Sequence, residues 1–222
     1  MNIDNLLYNS IMVREFESRV PKLASPNLAD KVRREAHLFV AGSVNSLEIT
    51  RASTIVECAR AIAPFVCGAE NKTGFVMALT KRAKGTPVLT VQIGRVDDPD
   101  PAYSTDGKLG KYTIFANLKT EVLIENPNLI SSSQNLSLPA EQRVMSPAGQ
   151  EIPGGAIAFE NGWIIAISGF RDPNTDTATA LAIGIGAKLI GLDDAERVAL
   201  DPRVNCKIFM EKEDLFIRPF LH

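Results

Sequence analysis

Two short glycine-bearing segments hold the residues that could form a binding site in this chain. Gly154 and Gly155 come directly before one apolar run, and Ser168 and Gly169 end the apolar run that follows it. Because glycine has no side chain, a ligand or a helix can approach its backbone closely. The two segments therefore predict either the wall of a ligand pocket or glycines that serve turns and bulges, and the sequence favours neither.

Catalytic and metal-binding patterns based on histidine or cysteine have little support. His37 and His222 are far apart in the sequence, which argues against a histidine pair or a nucleophile–histidine relay. The three cysteines lack the spacing of a zinc site or a disulfide framework. Cys58 lies on an apolar helical stripe, where burial is favoured over thiolate chemistry. The sequence thus predicts no metal site.

Two further motifs resemble nucleotide-binding loops without matching them. Tyr112 follows Gly110-Lys111, where a phosphate-binding loop needs serine or threonine. Gly184 and Gly186 lie inside a predicted helix and lack the third glycine of a dinucleotide-binding fingerprint. The acidic run over residues 97–100 is typical of a solvated turn.

The composition argues against nucleic acid or a membrane as a partner. The 222 residues are 45% hydrophobic and 23% charged, with a formal net charge of −2, whereas binding to nucleic acid or a lipid surface needs a basic patch. No uncharged run reaches the roughly 18 residues of a membrane span. Residues 1–20 lack the order of a secretion signal. We therefore expect a cytoplasmic protein.

Hydrophobic periodicity predicts alternating helices and hairpins. Apolar residues at three-to-four spacing predict four helices. They cover residues 27–40, residues 46 or 50 to 63, residues 106 or 107 to 125, and residues 173–189. Runs rich in β-branched residues predict hairpins over residues 73–94 and 156–170, the second with an Asn161-Gly162 turn. Residues 127–151 predict a long polar connector of the kind that often forms a lid or is simply mobile. The apolar C-terminal segment is expected to dock on its own domain or on a neighbouring subunit.

The order of these motifs resembles the haem-degrading HbpS-like family, also called GlcG-like. The resemblance covers roughly residues 47–191. The motifs that carry it are Lys111-Tyr112-Thr113 in a helix, Pro153-Gly154-Gly155 before a strand, the Asn161-Gly162 turn, Ser168-Gly169 at the end of the next strand, and Asp176 leading the last helix.

The resemblance implies an α+β fold in which about five strands form a mainly antiparallel sheet packed with helices. It divides the chain into an N-terminal helical extension over residues 1–45, the family domain over residues 46–191 and a C-terminal extension over residues 192–222. It further implies assembly into homo-oligomers and binding of haem or a related small cofactor.

We therefore predict a small-molecule-binding or cofactor-binding protein of the HbpS/GlcG type. Lys111 is predicted to pair with a propionate or another carboxylate, because such a pair is strong in a partly dry pocket. The predicted ligand-binding residues are Lys111, Thr113, Gly154, Gly155, Ser168, Gly169 and Asp176.

Two alternatives stay open. The first is an enzyme acting on a small organic acid or on haem, in which Lys111, Thr113 and Asp176 do acid–base or orienting work. The second is a structural subunit of an oligomer whose C-terminal apolar segment makes the contacts.

Overall fold

The computed structural model describes residues 37–40, 46–84, 87–96 and 110–220. Several sequence-based predictions lie outside these residues: the helix predicted from residue 27 as far as residue 36, the acidic run at residues 97–100, and His222.

An antiparallel sheet lies at the centre of the described fold. Its strands have the spatial order β1-β3-β2-β5-β4. The predicted α+β fold with an antiparallel sheet is thus confirmed, and so are the two hairpins, β2–β3 and β4–β5. Strand β2 joins the hairpins by pairing with β5, with Val76 opposite Ser168. The strands are β1 (His37–Val40), β2 (Gly74–Lys81), β3 (Pro87–Gly94), β4 (Ala156–Ala158) and β5 (Trp163–Ser168).

Strand β1 corrects the C-terminal end of the helix predicted over residues 27–40. His37 lies opposite Gln92 and Val40 opposite Leu89, so this segment extends the sheet along β3. A short apolar run such as HLFV is compatible with either structure by periodicity alone. Pairing with the open edge of β3 favours the strand, because it satisfies backbone groups on both segments.

Two helices cover one face of the sheet. Helix α1 (Ser46–Ala69) packs on β2, β3 and helix α3 (Pro173–Gly186), and α3 packs on β5. The prediction that α1 ends at Pro64 is wrong, since the helix continues to Ala69. The core burial of Val66 and Cys67 offsets the roughly 3 kcal/mol that a proline costs inside a helix.

Helix α1 has the length and apolarity of a membrane-crossing segment over Glu48–Ala69. Its apolar stripe instead packs within the fold: Ile55, Ala59, Ile62 and Val66 are all fully buried in the core cluster. The hydrophobic composition of α1 is therefore accounted for by its place beneath the sheet.

Helix α2 (Lys111–Glu125) covers the opposite face of the sheet and builds a second core. Alternate residues of β2 and β5 face the two cores, because successive side chains on a strand point to opposite faces. Met77 and Ile165 pack in the first core, whereas Val76 and Ile164 pack against α2. Both faces are covered, which is why these strands are continuously apolar.

The C-terminal segment docks on its own chain. It forms α4 (Leu192–Leu200), α5 (Lys207–Glu211), α6 (Glu213–Phe216) and a 3-10 turn at Arg218–Phe220. Phe209 and Phe216 are buried in the first core, with ring centroids 6.1 Å apart. Of the two predicted docking sites, its own domain and a neighbouring subunit, the segment therefore occupies the first.

The connector over residues 127–151 is folded. It contains 3-10 helices at Ser132–Ser137 and Ala140–Gln142. The buried Asn135 side chain accepts a hydrogen bond from the Val144 N–H and donates one to the Val144 carbonyl. Buried side chains thus satisfy backbone groups of the connector. The Ser132 hydroxyl oxygen also accepts from the Ala156 N–H and so holds the connector beside β4.

Candidate functional site

A small pocket opens at one edge of the sheet, where β2 begins, β3 and β5 end, and α2 starts. Its volume is about 190 Å³. The wall is made of short segments that follow or precede regular elements, an arrangement typical of binding sites on a rigid scaffold. The lining residues are Asn71, Lys72, Thr73, Gly74, Arg95, Val96, Tyr112 and Gly169.

Hydrogen bonds between Thr73 and Arg95 close the open end of the β2–β3 hairpin at the pocket. The Arg95 N–H donates to the Thr73 carbonyl at 3.1 Å, and Thr73 Oγ1 donates to the Arg95 carbonyl at 2.6 Å. Gly94 has a φ of 75°, which lets the backbones cross closely here. The paired backbones therefore fix where Arg95 enters the pocket wall.

Lys72 is positioned by the end of α1. Asn71 has a φ of 51°, the left-handed conformation common just after helices. The Lys72 N–H then donates to the Cys67 carbonyl at 2.8 Å. This turn brings Lys72 and Arg95 into the same pocket wall, which makes that wall cationic.

The start of α2 contributes a further positive potential. Gly110 precedes the helix in an extended conformation and provides no side-chain cap for the first N–H groups. Such groups carry the positive end of the helix dipole. Lys111, the first residue of α2, has its Nζ atom 6.0 Å from the centroid of the Phe115 ring. Among the described lining residues of the pocket, none is acidic.

Of the seven predicted ligand-binding residues, one lines this pocket and two are the chain neighbours of the lining residue Tyr112. Gly169 is in its wall, and Lys111 and Thr113 flank the wall residue Tyr112 on α2. Ser168 precedes Gly169 but is itself buried in the sheet. These four residues are therefore brought to one edge of the molecule.

Gly154 and Gly155 are surrounded by protein atoms. A Cβ atom on Gly155 would lie 2.5 Å from Lys119 Nζ and 2.7 Å from Asp176 Cβ, and one on Gly154 would lie 3.2 Å from Thr177 Oγ1. Helix α3 and the Lys119 side chain are thus the groups that approach the backbone of these glycines closely. The described structure leaves no open space for a ligand at these two positions.

Asp176 belongs to a buried ion pair that the sequence analysis missed. Lys119 Nζ lies 2.8 Å from Asp176 Oδ2 and also donates to the Ile167 carbonyl at 2.7 Å. Asp176 Oδ1 accepts from the Phe170 N–H at 3.3 Å. Lys119 is 1% and Asp176 3% exposed, so a ligand has no access to Asp176 for acid–base chemistry.

Lys119 substitutes for a missing strand partner. The Ile167 N–H donates to the Gly155 carbonyl at 2.7 Å, and the N–H and C=O of one strand residue point to the same neighbouring strand. Strand β4 begins only at Ala156, and the Ile167 carbonyl accepts from the Lys119 ammonium group. The lysine side chain therefore completes the β4–β5 ladder from the α2 face of the sheet.

One signal in the sequence could have revealed this pair. Lys119 occupies a position on the predicted apolar stripe of α2, between Ala116 and Leu123. A lysine on a buried face needs an anionic partner. The sequence does not show which acidic residue lies across the sheet.

Burial is the main cause of the raised pKa values of Asp176 and of the cysteine thiols. It raises the pKa of Asp176 to about 6, even though the charge of Lys119 and the hydrogen bonds from Lys119 and Phe170 oppose the change. Burial also raises the pKa of all three cysteine thiols to about 12, which disfavours the thiolate. The described residues contain no group of three or more metal-ligating His, Cys, Asp or Glu side chains.

Comparison of the chain with protein families, curated proteins and solved structures finds no match. The resemblance to the HbpS/GlcG family therefore stays a prediction that depends on the short motifs.

Proposed function

We propose that this protein binds a small organic molecule that carries a carboxylate group, in the pocket at the strand ends. The observation that carries the proposal is the charge of the pocket wall: Lys72 and Arg95 lie in it, α2 begins beside it, and its described lining contains no acidic residue. This site replaces the hairpin glycines Gly154 and Gly155 as the proposed location of the ligand.

The chemistry of the lining suits a carboxylate. An arginine guanidinium group can bind both oxygens of a carboxylate through two parallel hydrogen bonds, and a lysine adds a compact positive charge. The Tyr112 hydroxyl group supplies another hydrogen-bonding group, and Val96 an apolar contact. The ligand is therefore expected to have an anionic end and a short uncharged body.

The size of the pocket limits the ligand. About 190 Å³ is below the roughly 300–1,000 Å³ of pockets that hold drug-sized molecules. A molecule with a few non-hydrogen atoms fits this volume. A short organic acid is accordingly the favoured ligand.

Haem, which the family resemblance implies, does not fit the pocket in this form. Tyr112 is a residue type that can ligate haem iron, but Val96 is the single aliphatic side chain of the described lining apart from the hydrocarbon parts of polar residues. A tetrapyrrole needs a larger and more apolar cleft. The pocket therefore disfavours haem, which stays an alternative ligand only because the family resemblance implies it.

Trifluoroacetate is a suitable probe because it is small, and trifluoroacetamide is a neutral control of similar shape. We expect trifluoroacetate to produce saturable shifts of the Gly169 and Tyr112 amide signals in two-dimensional NMR spectra, and trifluoroacetamide to produce none. Equal binding of both compounds, or no saturable shift with either, would contradict the proposed function.

Substitution of Lys72 tests the cationic wall directly. We expect Lys72→Ala to weaken trifluoroacetate binding at least about tenfold, since a hydrogen bond to a charged group contributes about 1.5–3 kcal/mol. Lys207→Ala is the matched control, because Lys207 is an exposed lysine on α5. An equal effect of both substitutions would indicate nonspecific charge attraction and would reject the pocket as the site.

A haemin titration tests the alternative ligand. A saturable shift of the haemin Soret absorption band that is lost in Tyr112→Phe would establish haem as the ligand and replace the carboxylate proposal. An unchanged Soret band would remove haem from consideration.

A further inference from the structure

We infer that Lys119 and Asp176 are positioning residues for the pocket: they hold Gly169 in its wall, and protonation of Asp176 changes the shape of that wall. The consequence for binding rests on the proposed function, whereas the movement of the wall can be measured without a ligand.

The contacts of the ion pair surround Gly169 on both sides along the chain. Two residues before it, the Ile167 carbonyl accepts a hydrogen bond from Lys119 Nζ. Directly after it, the Phe170 N–H donates to Asp176 Oδ1. The segment between these two bonds contains the wall residue Gly169, so the ion pair holds both of its flanks.

Packing leaves Gly169 little freedom to adjust independently. Its φ of 151° is a conformation that favours glycine, and a Cβ atom there would lie 3.0 Å from the Phe75 Cα atom. The Phe170 ring packs on the Phe75 ring with centroids 5.5 Å apart. A change in the hydrogen bond at Phe170 therefore acts directly on the position of Gly169 relative to β2.

The groups around Asp176 make its charge sensitive to pH. Lys119 faces it from α2 and favours the carboxylate, whereas Asp172, at the N-terminus of its own helix, disfavours it. Thr175, which directly precedes Asp176 on α3, donates through Oγ1 to the Glu70 carboxylate at 3.4 Å. Glu70 follows the end of α1. Gly155, from the β4 side, brings no charge. Burial raises the pKa of Asp176 to about 6, so its charge changes in a range where most carboxyl groups remain ionised.

Protonation weakens the bonds that hold the wall. A neutral carboxyl group is a poorer acceptor for the Phe170 N–H, because hydrogen bonds to charged groups are about twice as strong as neutral ones. Protonation also leaves the Lys119 ammonium group without its negative partner, and this ammonium group is the donor to the Ile167 carbonyl. Both flanks of Gly169 are thereby loosened together.

A pH titration of the ligand-free protein by NMR tests this coupling. We expect the amide signals of Gly169 and Phe170 to titrate with a midpoint near pH 6 and this titration to disappear in Asp176→Asn. Glu151→Gln is the control, because Glu151 forms an exposed pair with Arg143 in the connector. A titration that persists in Asp176→Asn would assign the effect to another group and would overturn the inference.

A double substitution covers the case in which Asp176→Asn does not fold. Replacing both Lys119 and Asp176 by apolar residues, as in Lys119→Met with Asp176→Leu, removes the two buried charges together and is expected to be tolerated far better than loss of one. We expect this variant to fold without the pH-dependent shift at Gly169. A retained shift would overturn the inference.

Binding measurements separate this inference from the proposed function. Trifluoroacetate stays ionised throughout this pH range, so we expect its affinity for the wild type to fall several-fold from pH 7 to pH 5 and its affinity for the double variant to be weak at both. Binding that is independent of pH in the wild type and unchanged in the double variant overturns the positioning role. Titration of Gly169 without any trifluoroacetate binding supports the coupling and contradicts the proposed function.

Discussion

Gly155 is the residue at which the two sides of the fold meet. Its missing side chain makes room for the Lys119 ammonium group from α2 and for Asp176 from α3. With a φ of 127°, it also adopts a backbone conformation that other residues rarely tolerate. The buried ion pair therefore depends on a glycine at this position.

Gly155→Ala is expected to destabilise the protein by about 3 kcal/mol or more, since the added methyl group meets three groups within 2.8 Å and the backbone is strained as well. Gly149→Ala is the matched control. Gly149 also has a positive φ, of 72°, but open space around its Cβ position, so we expect a loss of about 1–2 kcal/mol. Chemical denaturation measures both, and equal losses would contradict the steric role of Gly155.

Asp176 is expected to affect stability with a sign opposite to that of most paired carboxyl groups. Its pKa rises from 3.8 to about 6 on folding, so the folded chain binds this proton more tightly than the unfolded chain. The resulting contribution to the free energy of unfolding is fully present below about pH 3.8 and is lost as the pH rises through about 6.

The stability difference between the wild type and Asp176→Asn isolates this contribution. We expect the free energy of unfolding of the wild type, relative to that of the variant, to fall between pH 4 and pH 7 by at most about 3 kcal/mol. Denaturant unfolding at several pH values measures the difference. A relative stability that rises with pH would show that attraction to Lys119 dominates over burial.

At the scale of single elements, α1 shows how packing alters a helix boundary. Pro64 lacks the N–H group for a helical hydrogen bond, yet the helix continues for another turn, to Ala69. This last turn carries the buried Val66 and Cys67 and leads into the turn that presents Lys72. The extension past the proline therefore contributes to the position of the pocket wall.

Pro64→Ala is expected to stabilise the protein by about 1–2 kcal/mol. The substitution restores a helical N–H group and removes the clash of the proline ring with the preceding turn, although part of the gain is offset because alanine leaves the unfolded chain freer. Thermal unfolding measures the change. A loss of stability would show that the last turn of α1 requires the bend that proline imposes.

At the scale of the whole molecule, the C-terminal segment completes the first core. Phe209, Phe216 and Ile217 are buried together with residues of α1 and α3. The predicted boundary at residue 192 thus separates segments that share one core in the described structure. We therefore expect this segment to contribute to the stability of the described fold.

Phe209→Ala and Phe216→Ala are each expected to lower the free energy of unfolding by about 3–5 kcal/mol, as for other buried phenylalanines. Leu200→Ala is the control, because Leu200 is 59% exposed and should change stability by less than about 0.5 kcal/mol. Losses below about 1 kcal/mol at both phenylalanines would contradict docking of this segment on its own core.

Periodicity and turn chemistry in the sequence determined most of the local structure. The Asn161-Gly162 hairpin, the start of α3 at Pro173 and the apolar stripe of α1 are all present where the sequence predicts them. These features depend on interactions between residues close together in the chain, which the sequence displays directly. The short HLFV strand was missed because its partner, β3, lies far along the chain.

Tertiary structure alone decided the location of the candidate site. The sequence indicated glycines at strand ends and a cation near a helix start, but only the folded sheet brings Lys72 and Arg95 to Gly169 and fills the space at Gly155 with Lys119. The physical reason is that a pocket and a buried charge depend on which distant segments pack together. A single sequence specifies those contacts without displaying them.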